Sequence, residues 1–374
     1  MLAGAAAERV LDRFLRSRRA LDATGRQVAA EALFGIGLWR RRLRFHAGEG
    51  APPLLLLASL LRDLAGRSDA ELLCALPAGA LPPPVPPPPD LATRWSLPDW
   101  LAATLGRETG DEAPLLADAL CLPGPVFLRV NRARIERATL ALRLGAEGIA
   151  TRPTRLAPDG LTVLSPRPNL LGLPSFRDGL LEIQDEGSQL LGEAVGARPG
   201  ETVLDLCAGA GGKTLQLAAA VGPEGLVHAC DPDGSRLVRL RERATRAGAS
   251  VGVHGSEPPA DLLADRVLVD APCSELGVLR RGPDLRWRID PTSFAALPAL
   301  QLELLQRGLA HLAPGGRLVY ATCTLRHAEN EAVVQAALAA HPGLHRLPVP
   351  PPLPSRPDRD RLDGFFAAVL LAPT

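Results

Sequence analysis

The sequence predicts an α/β fold with a mostly parallel, wound β-sheet, preceded by a small α+β subdomain and an N-terminal helical domain. Three observations lead to this prediction. From about residue 186 onward, helical stretches alternate with short apolar runs, which is the pattern of a wound α/β domain. Between about residues 5 and 75, apolar residues recur at three- and four-residue steps, as in helices. A proline run at 82–89 separates the helical region from the rest.

The composition indicates a folded globular chain. Hydrophobic residues make up 46% of the 374 residues and charged residues 22%, and no apolar run approaches the roughly 18 residues of a membrane-spanning helix. The six cysteines include no CxxC pair, which argues against a zinc site or a disulfide framework and for a reduced, cytoplasmic chain. We therefore exclude membrane proteins, secreted scaffolds and disordered proteins, and we expect no metal.

The N-terminal helical domain is expected to span residues 1–80. The first 50 positions contain ten arginines but only five acidic residues, although the whole chain carries a formal net charge of only +1. This local positive charge fits either a solvated helix face or a surface that contacts RNA. Residues 81–90, which include the sequence PPPVPPPP, are expected to form an extended linker of the polyproline type.

The remaining elements fall into two regions. The α+β subdomain, residues 91–185, is expected to contain helices at 97–105 and 135–144 and strands at 126–130 and 161–164. The wound domain, residues 186–374, contains apolar runs that we interpret as strands, at 202–207, 225–230, 266–270, 316–321 and 365–371.

A glycine-rich turn, CAGAGGKT, follows the first strand of the wound domain. The spacing does not match the GxxxxGK[ST] phosphate loop, and the dinucleotide pattern GxGxxG fails at Thr214. The pattern that fits is DxxxGxG, from Asp205 to Gly211, which is typical of S-adenosyl-L-methionine sites because glycines let the backbone approach the ligand. Asp231 ends the next strand, where a carboxylate can bind ribose hydroxyls. Each signal alone also occurs in ordinary turns, but together they predict a nucleoside-type ligand.

Two cysteines follow later strands of the predicted sheet. Asp270 and Cys273 lie after one strand, and Cys323 lies after another. Ligands of open α/β sheets bind at the carboxyl ends of the strands, so both thiols should face the cofactor cavity. The alternative is that each thiol is simply a small buried hydrophobe.

A thiolate beside a methyl donor suits the methylation of pyrimidine carbon-5. That carbon becomes nucleophilic only after a nucleophile adds to carbon-6, and a thiolate both adds readily and leaves again. A neighbouring carboxyl group, here Asp270, can hydrogen-bond the edge of the base.

An arginine-rich segment, residues 277–288, lies between the two cysteines. Its candidate RNA-binding side chains combine positive charge with a stacking ring: Arg280, Arg281, Arg286, Trp287 and Arg288. A plain charged surface loop is the alternative.

Together these motifs resemble the Sun-family RNA cytosine-5 methyltransferases of the bacterial 16S ribosomal-RNA kind (RsmB, or Fmu). The resemblance spans most of the chain. LDLCAGAGGKT is similar to the cofactor loop of the family, DAPCS to its motif IV and ATCT to its motif VI. EIQDEGSQ, FLRVN and DGFF are similar to further family segments.

The resemblance implies a Rossmann-like class I methyltransferase domain, a preceding RNA-recognition-like subdomain and a truncated NusB-like domain. It also implies that Cys323 is the nucleophile, that Cys273 assists release of the methylated RNA, and that Asp270 contacts the cytosine. The residues implied to hold S-adenosyl-L-methionine are Cys207, Ala208, Gly209, Ala210, Gly211, Gly212, Lys213, Asp231 and Asp270. The expected partner is RNA, ribosomal RNA ahead of transfer RNA, and the chain is expected to act as a monomer.

The chain departs from the family pattern at three places. Its cofactor loop reads AGAGG where the family has AAPGG, and the acidic residue after the third strand is replaced by Ser256, with Glu257 next to it. The helical N-terminal region is also shorter. These departures leave a non-catalytic RNA-binding or ribosome-assembly factor as an alternative. An amino-group methyltransferase would instead need an NPPY-like loop where DAPCS stands.

Overall fold

Helices and strands alternate along the chain as the sequence patterns predict. The structure, a computed structural model, describes residues 7–18, 20–77, 81, 83–165, 168–282 and 284–374. The helices are α1 (Ala7–Ser17), α2 (Ala23–Ala47), α3 (Pro53–Ser59), α4 (Asp69–Ala75), α5 (Leu91–Arg94), α6 (Asp99–Thr109), α7 (Ala113–Ala119), α8 (Arg137–Ala146), α9 (Pro174–Arg177), α10 (Glu186–Val195), α11 (Gly212–Val221), α12 (Gly234–Ala247), α13 (Leu285–Arg288), α14 (Leu297–Ala310), α15 (Glu331–Ala340) and α16 (Pro357–Asp360). The strands are β1 (Phe127–Val130), β2 (Thr151–Pro153), β3 (Gly160–Val163), β4 (Leu181–Ile183), β5 (Thr202–Asp205), β6 (Leu226–Cys230), β7 (Gly252–His254), β8 (Ala264–Asp270), β9 (Leu312–Thr322), β10 (His345–Leu347) and β11 (Phe366–Leu371).

The chain divides into two compact units. The first contains Met1–Pro123 together with Val278–Pro291, and the second contains Gly124–Gly277 together with Thr292–Thr374. Helices α5 to α7 therefore fold with the first unit. The sequence pattern instead groups them with the strands that follow, in one subdomain spanning residues 91–185. The domain boundary expected near residue 80 lies outside the described residues.

The first unit is helical, as the apolar periodicity predicts. Helix α2 begins where the side chain of Asp22 accepts a hydrogen bond from the Gly25 backbone N–H, 2.7 Å away. Arg41 of the same helix donates to the Leu97 carbonyl at 3.0 Å and pairs with Asp99 at 2.6 Å. These bonds tie α2 to the turn before α6.

The second unit begins with a four-stranded antiparallel sheet in the order β2-β3-β1-β4. Apolar side chains of β1, β3 and β4 pack on α8 in a buried cluster that includes Leu128, Leu140, Leu161 and Leu181. The predicted strands at 126–130 and 161–164 and the helix between them are confirmed. The three-residue strands β2 and β4 are too short to give a clear alternating pattern, and the sequence did not predict them.

The larger sheet has seven strands in the order β10-β11-β9-β8-β5-β6-β7. Strands β5 to β9 pair in parallel, whereas β11 runs antiparallel to both of its neighbours, β9 and β10. This arrangement confirms the mostly parallel α/β sheet. The chain passes from β5 to β6 on one side and later returns to β8 on the other side. A crevice therefore opens at the carboxyl ends of these strands, where such sheets bind ligands.

In the described part of the chain, no helix combines the length and the apolar character needed to cross a bilayer. All six cysteines are free thiols.

Candidate active site

A cavity of about 640 Å³ occupies the crevice at the carboxyl ends of β5, β6, β8 and β9. Residues of the glycine-rich loop line one part of it, and both cysteines, Cys273 and Cys323, line another. The sheet thus brings together side chains that the sequence placed at separate strand ends.

The glycine-rich loop connects β5 to α11. Gly209 and Gly211 have φ values of +55° and +87°, which explains why glycine occupies these turn positions. Cys207, Ala208, Gly209, Ala210, Gly212 and Lys213 line the cavity. Gly211 does not line it, and a Cβ atom at this position would meet Leu240 at 2.8 Å, so the turn requires glycine here. Its expected cofactor contact stays a prediction.

Asp205 is a buried carboxyl group at the end of β5. Its Oδ2 accepts a hydrogen bond from the Thr214 hydroxyl at 2.7 Å, whereas its buried Oδ1 has no hydrogen-bond partner among the described residues. Burial away from water raises the pKa of Asp205 to about 7. The residue lines the cavity, so the unpaired Oδ1 leaves an acceptor for a ligand there.

Asp231 follows β6 and lines the same cavity. Its Oδ2 accepts from the Gly209 backbone N–H at 2.9 Å, and its Oδ1 accepts from the Asp233 N–H at 2.8 Å. The carboxylate therefore braces the glycine-rich loop. Each oxygen retains a second lone pair for a hydroxyl group of a ligand.

Lys213, the only lysine of the chain, forms an ion pair with Asp270. The distance from Nζ to Oδ2 is 2.6 Å, and the lysine side chain is 12% exposed. Burial alone would lower the pKa of Lys213, but the carboxylate of Asp270 outweighs this effect and raises it. Both residues line the cavity, so a charged pair stands beside the thiols.

The two candidate thiols lie in contact. The Sγ atoms of Cys273 and Cys323 are 3.3 Å apart. The hydrogen bond with Cys273, followed by burial and the carboxylate of Asp270, raises the pKa of the Cys323 thiol well above its ordinary value. The thiol form of Cys323 is therefore favoured in the free protein.

The position after β7 differs from the family pattern in the way the sequence indicates. Ser256 lines the cavity. Glu257 is exposed and pairs at 2.9 Å with Arg307, which also lines the cavity. Glu257 itself does not line the cavity.

The arginine-rich segment folds with the first unit, and one of its residues needs a correction. Arg286 is fully buried and donates to the Leu120 and Trp95 carbonyls at 2.8 and 3.3 Å. It is a structural core residue, so the expectation that it contacts RNA is wrong.

The other candidates of this segment are more accessible. Trp287 is half-buried: its indole N–H donates to the Gly37 carbonyl at 3.1 Å, and the guanidinium of Arg40 covers the ring at 4.0 Å. Arg281 and Arg288 are exposed, and Arg280 is half-buried. Arg288 pairs with Asp284.

Two residues near the cavity, Gln184 and Glu329, were not predicted from the sequence as site residues. Gln184, in the segment EIQDEGSQ, lines the cavity and accepts a hydrogen bond from the buried Arg129, which also donates to the Gly212 carbonyl at 2.6 Å. Glu329 is fully buried behind the two cysteine loops. A signal for it existed, because the charged AENE sequence closely follows the second cysteine.

Comparisons with known proteins agree with this architecture. The model of the family described as 16S rRNA methyltransferase RsmB/F matches residues 194–371. A model described as the ferredoxin-like domain of RsmF/B-like methyltransferases matches residues 97–169. Together the two models cover every strand of the two sheets except β4.

Curated relatives carry the name ribosomal RNA small subunit methyltransferase B. The protein from Vibrio cholerae is 36% identical over 75% of this chain, and the match spans 66% of that relative's length. The protein from Escherichia coli is 32% identical over 96% of this chain and 86% of its own.

A solved structure of a methyltransferase homologue from Pyrococcus horikoshii superposes with a TM-score of 0.66. It is 28% identical in sequence and covers 75% of this chain and 97% of its own. The fold is thus the Rossmann-like methyltransferase fold that the resemblance implies. The chain belongs to the RsmB/F family of 16S rRNA methyltransferases.

Proposed function

We propose that this protein methylates carbon-5 of cytosine in RNA, with S-adenosylmethionine as the methyl donor and Cys323 as the nucleophile. Ribosomal RNA is the proposed substrate, in keeping with the names of the relatives. The observation that carries the proposal is the pair of thiols, Cys273 and Cys323, placed 3.3 Å apart in the wall of the cavity.

The residues around the glycine-rich loop fit S-adenosylmethionine. The unpaired Oδ1 of Asp205 offers an acceptor for an ammonium group, and Asp231 offers lone pairs to ribose hydroxyls. Residues 207–213 supply the backbone that lies against the ligand, and all of them except Gly211 line the cavity. When bound, the cofactor supplies an electrophilic methyl group.

Cys323 performs the first chemical task in this proposal. Its thiol loses a proton, and the thiolate adds to carbon-6 of the cytosine, which makes carbon-5 nucleophilic. The raised pKa of Cys323 implies that the proton leaves only when a base accepts it or when the bound substrate changes the local charge. Asp270, which Lys213 holds at 2.6 Å, lies in the same cavity and can hydrogen-bond the edge of the base.

Cys273 acts in the second half of the cycle. After methyl transfer, a base removes the carbon-5 proton and the Cys323–carbon-6 bond breaks, which frees the RNA. Because Cys273 contacts Cys323, it is placed to assist this release.

Variants of the two cysteines test the proposal. Cys323→Ala should abolish methylation of transcript RNA, because it removes the thiol that adds to carbon-6. Cys273→Ala should instead accumulate a covalent protein–RNA adduct, visible as a slow band on a denaturing gel. Cys74→Ala, which changes an exposed cysteine, is the matched control and should behave as the unmodified protein.

Two further measurements define the substrate and the alternative. Bisulfite sequencing of ribosomal and transfer RNA, with and without the gene, should identify the modified cytosine. Full activity of Cys323→Ala would contradict the proposal. Failure to bind S-adenosylmethionine in calorimetry would favour the non-catalytic RNA-binding factor.

A further inference from the structure

The loops that carry the two cysteines are held by two residues at the end of the turn between β9 and α15, the same turn that begins with Cys323. This turn contains Glu329 and Asn330, which are 0% and 7% exposed. Neither residue lines the cavity described above. Both nevertheless make hydrogen bonds to the peptides on either side of the thiols.

Glu329 holds the loop of Cys273 through the next residue, Ser274. One carboxylate oxygen of Glu329 accepts from the Ser274 backbone N–H at 2.9 Å, and the other accepts from its hydroxyl at 2.6 Å. Because the Ser274 hydroxyl has one hydrogen and gives it to Glu329, the hydroxyl of Thr324 donates to Ser274, 2.7 Å away. The chain of bonds therefore reaches the residue that follows Cys323.

Gln301 of α14 also holds the Cys273 loop through hydrogen bonds. Its side-chain amide donates to the Pro272 carbonyl at 2.9 Å and to Glu329 at 3.0 Å. The peptides before and after Cys273 are thus both fixed to one buried carboxylate system. Arg326 supplies positive charge to Glu329 at 2.8 Å.

Asn330 holds the loop of Cys323 in a corresponding way. Its Oδ1 accepts from the Thr322 hydroxyl at 2.6 Å, and its Nδ2 donates to the Thr324 carbonyl at 3.1 Å. One side chain therefore spans the cysteine from the residue before it to the residue after it.

We propose that Glu329 is the positioning residue for Cys273 and that Asn330 is the positioning residue for Cys323. This inference rests on the proposed function, because it divides the two steps of that reaction between two neighbouring side chains. Loss of the Glu329 grip should impair release, and loss of the Asn330 grip should impair addition. A buried residue that only stabilised the fold would impair both steps together.

Glu329→Gln is the first test, because an amide keeps the shape but provides one acceptor oxygen for donors that occupy two. Full-length protein is mixed with transcript RNA and S-adenosylmethionine, and adduct formation and turnover are measured separately. We expect turnover to fall about tenfold or more, as misplaced catalytic groups do, while adduct forms at nearly the normal rate and accumulates. Ser274→Ala removes only the hydroxyl bond to Glu329, and it should likewise lower turnover more than adduct formation. This variant replaces Glu329→Gln as the test if Glu329→Gln does not fold.

Glu331→Gln is the matched control. Glu331 lies two residues away, and its half-buried carboxylate pairs with Arg346, away from both cysteine loops, so this variant should keep the normal ratio of adduct to turnover. Asn330→Ala should show the opposite split: adduct formation is slowed, adduct that has formed decays at the normal rate, and no adduct accumulates.

The outcomes separate this inference from the proposed function. If Glu329→Gln and Ser274→Ala lower adduct formation and turnover in parallel, or change neither, the positioning role of Glu329 is wrong. If Asn330→Ala accumulates adduct, its assignment is wrong. If the unmodified protein forms no adduct and Cys323→Ala retains activity, the proposed function itself fails.

Discussion

Cys273 and Cys323 are fifty residues apart in the sequence, yet their Sγ atoms lie 3.3 Å apart. Strands β8 and β9 are adjacent and parallel, and Asp270 pairs in register with Ala321 at their carboxyl ends. The two loops therefore leave the sheet side by side, and each thiol follows within three residues of its paired position. Register between two buried strands thus fixes the distance on which the proposed chemistry depends.

The contact between the thiols predicts a shift in pH dependence. Cys273 is the largest cause of the raised pKa of Cys323, so Cys273→Ala should lower that pKa. The reactive form is the thiolate, whose fraction rises with pH. The rate of alkylation of Cys323 by iodoacetamide should therefore rise with pH in both proteins, with the curve of Cys273→Ala displaced to lower pH.

The alkylation rate is measured by peptide mass spectrometry, with Cys121→Ala as the control in a separate buried cysteine. Superimposable curves for Cys273→Ala and the unmodified protein would show that Cys273 does not set the acidity of Cys323.

A close backbone contact predicts that Gly277 cannot be replaced. Its N–H donates to the Cys323 carbonyl at 2.9 Å, and its carbonyl accepts from Gly364 at 2.8 Å. A Cβ atom at Gly277 would lie 2.0 Å from the Gly364 carbonyl oxygen, so the backbone would have to move. Gly277→Ala should lower the free energy of unfolding by about 1–3 kcal/mol, as overpacking does, and should slow adduct formation.

Urea denaturation measures this loss of stability. Gly145→Ala is the control, since a Cβ at this position in α8 meets nothing within 4 Å and alanine favours a helix. A Gly277→Ala variant as stable and active as the control would show that the loop yields to the extra atom.

The sequence predicts most of the fold where apolar patterns are long. Strands β5, β6, β8, β9 and β11 appear as apolar runs, and their parallel order places their carboxyl ends in one crevice. The glycine-rich loop and both cysteines meet because each follows the carboxyl end of a parallel strand. In contrast, β7 and β10 have three residues each, too few for a period to show.

Side-chain partners could not be predicted in the same way. Arg286 and Arg288 look alike in the sequence, yet one is fully buried against backbone carbonyls and the other is exposed. Only tertiary packing distinguishes them. The same holds for Glu329, whose four donors come from three separate parts of the chain: Ser274, Gln301 and Arg326.

The contrast between these two arginines gives a third prediction. Arg286→Met leaves the carbonyls of Leu120 and Trp95 without their buried donor, and it should cost about 2–4 kcal/mol of unfolding free energy. Arg288→Ala removes an exposed charge and should change stability by no more than about 0.5 kcal/mol. If Arg288 contacts phosphate, its loss should weaken RNA binding and reduce the salt slope by about one.

Thermal unfolding and filter binding at several salt concentrations measure the two effects. An Arg286→Met protein of normal stability would contradict the core role of this side chain. Unchanged RNA affinity of Arg288→Ala at low salt would remove Arg288 from the RNA-binding surface.

The buried carboxyl group of Asp205 predicts that stability decreases with pH. Its pKa is raised from 3.8 to about 7 in the folded protein. Between these values the folded state binds more protons than the unfolded state, so unfolding releases protons and the free energy of unfolding falls as pH rises. Asp205→Asn keeps an acceptor for the Thr214 hydroxyl and cannot ionise.

The stability of Asp205→Asn relative to the unmodified protein should therefore increase from about pH 4 to about pH 7, by at most about 4 kcal/mol. Urea denaturation across this range measures the difference, and Asp261→Asn, at an exposed carboxyl, is the control. The ion pair of Lys213 and Asp270 must stay intact, because the charge of Asp270 contributes to the raised pKa of Asp205. If the difference in unfolding free energy between the two proteins stays constant with pH, Asp205 is ionised in the folded protein and its second oxygen accepts a hydrogen bond.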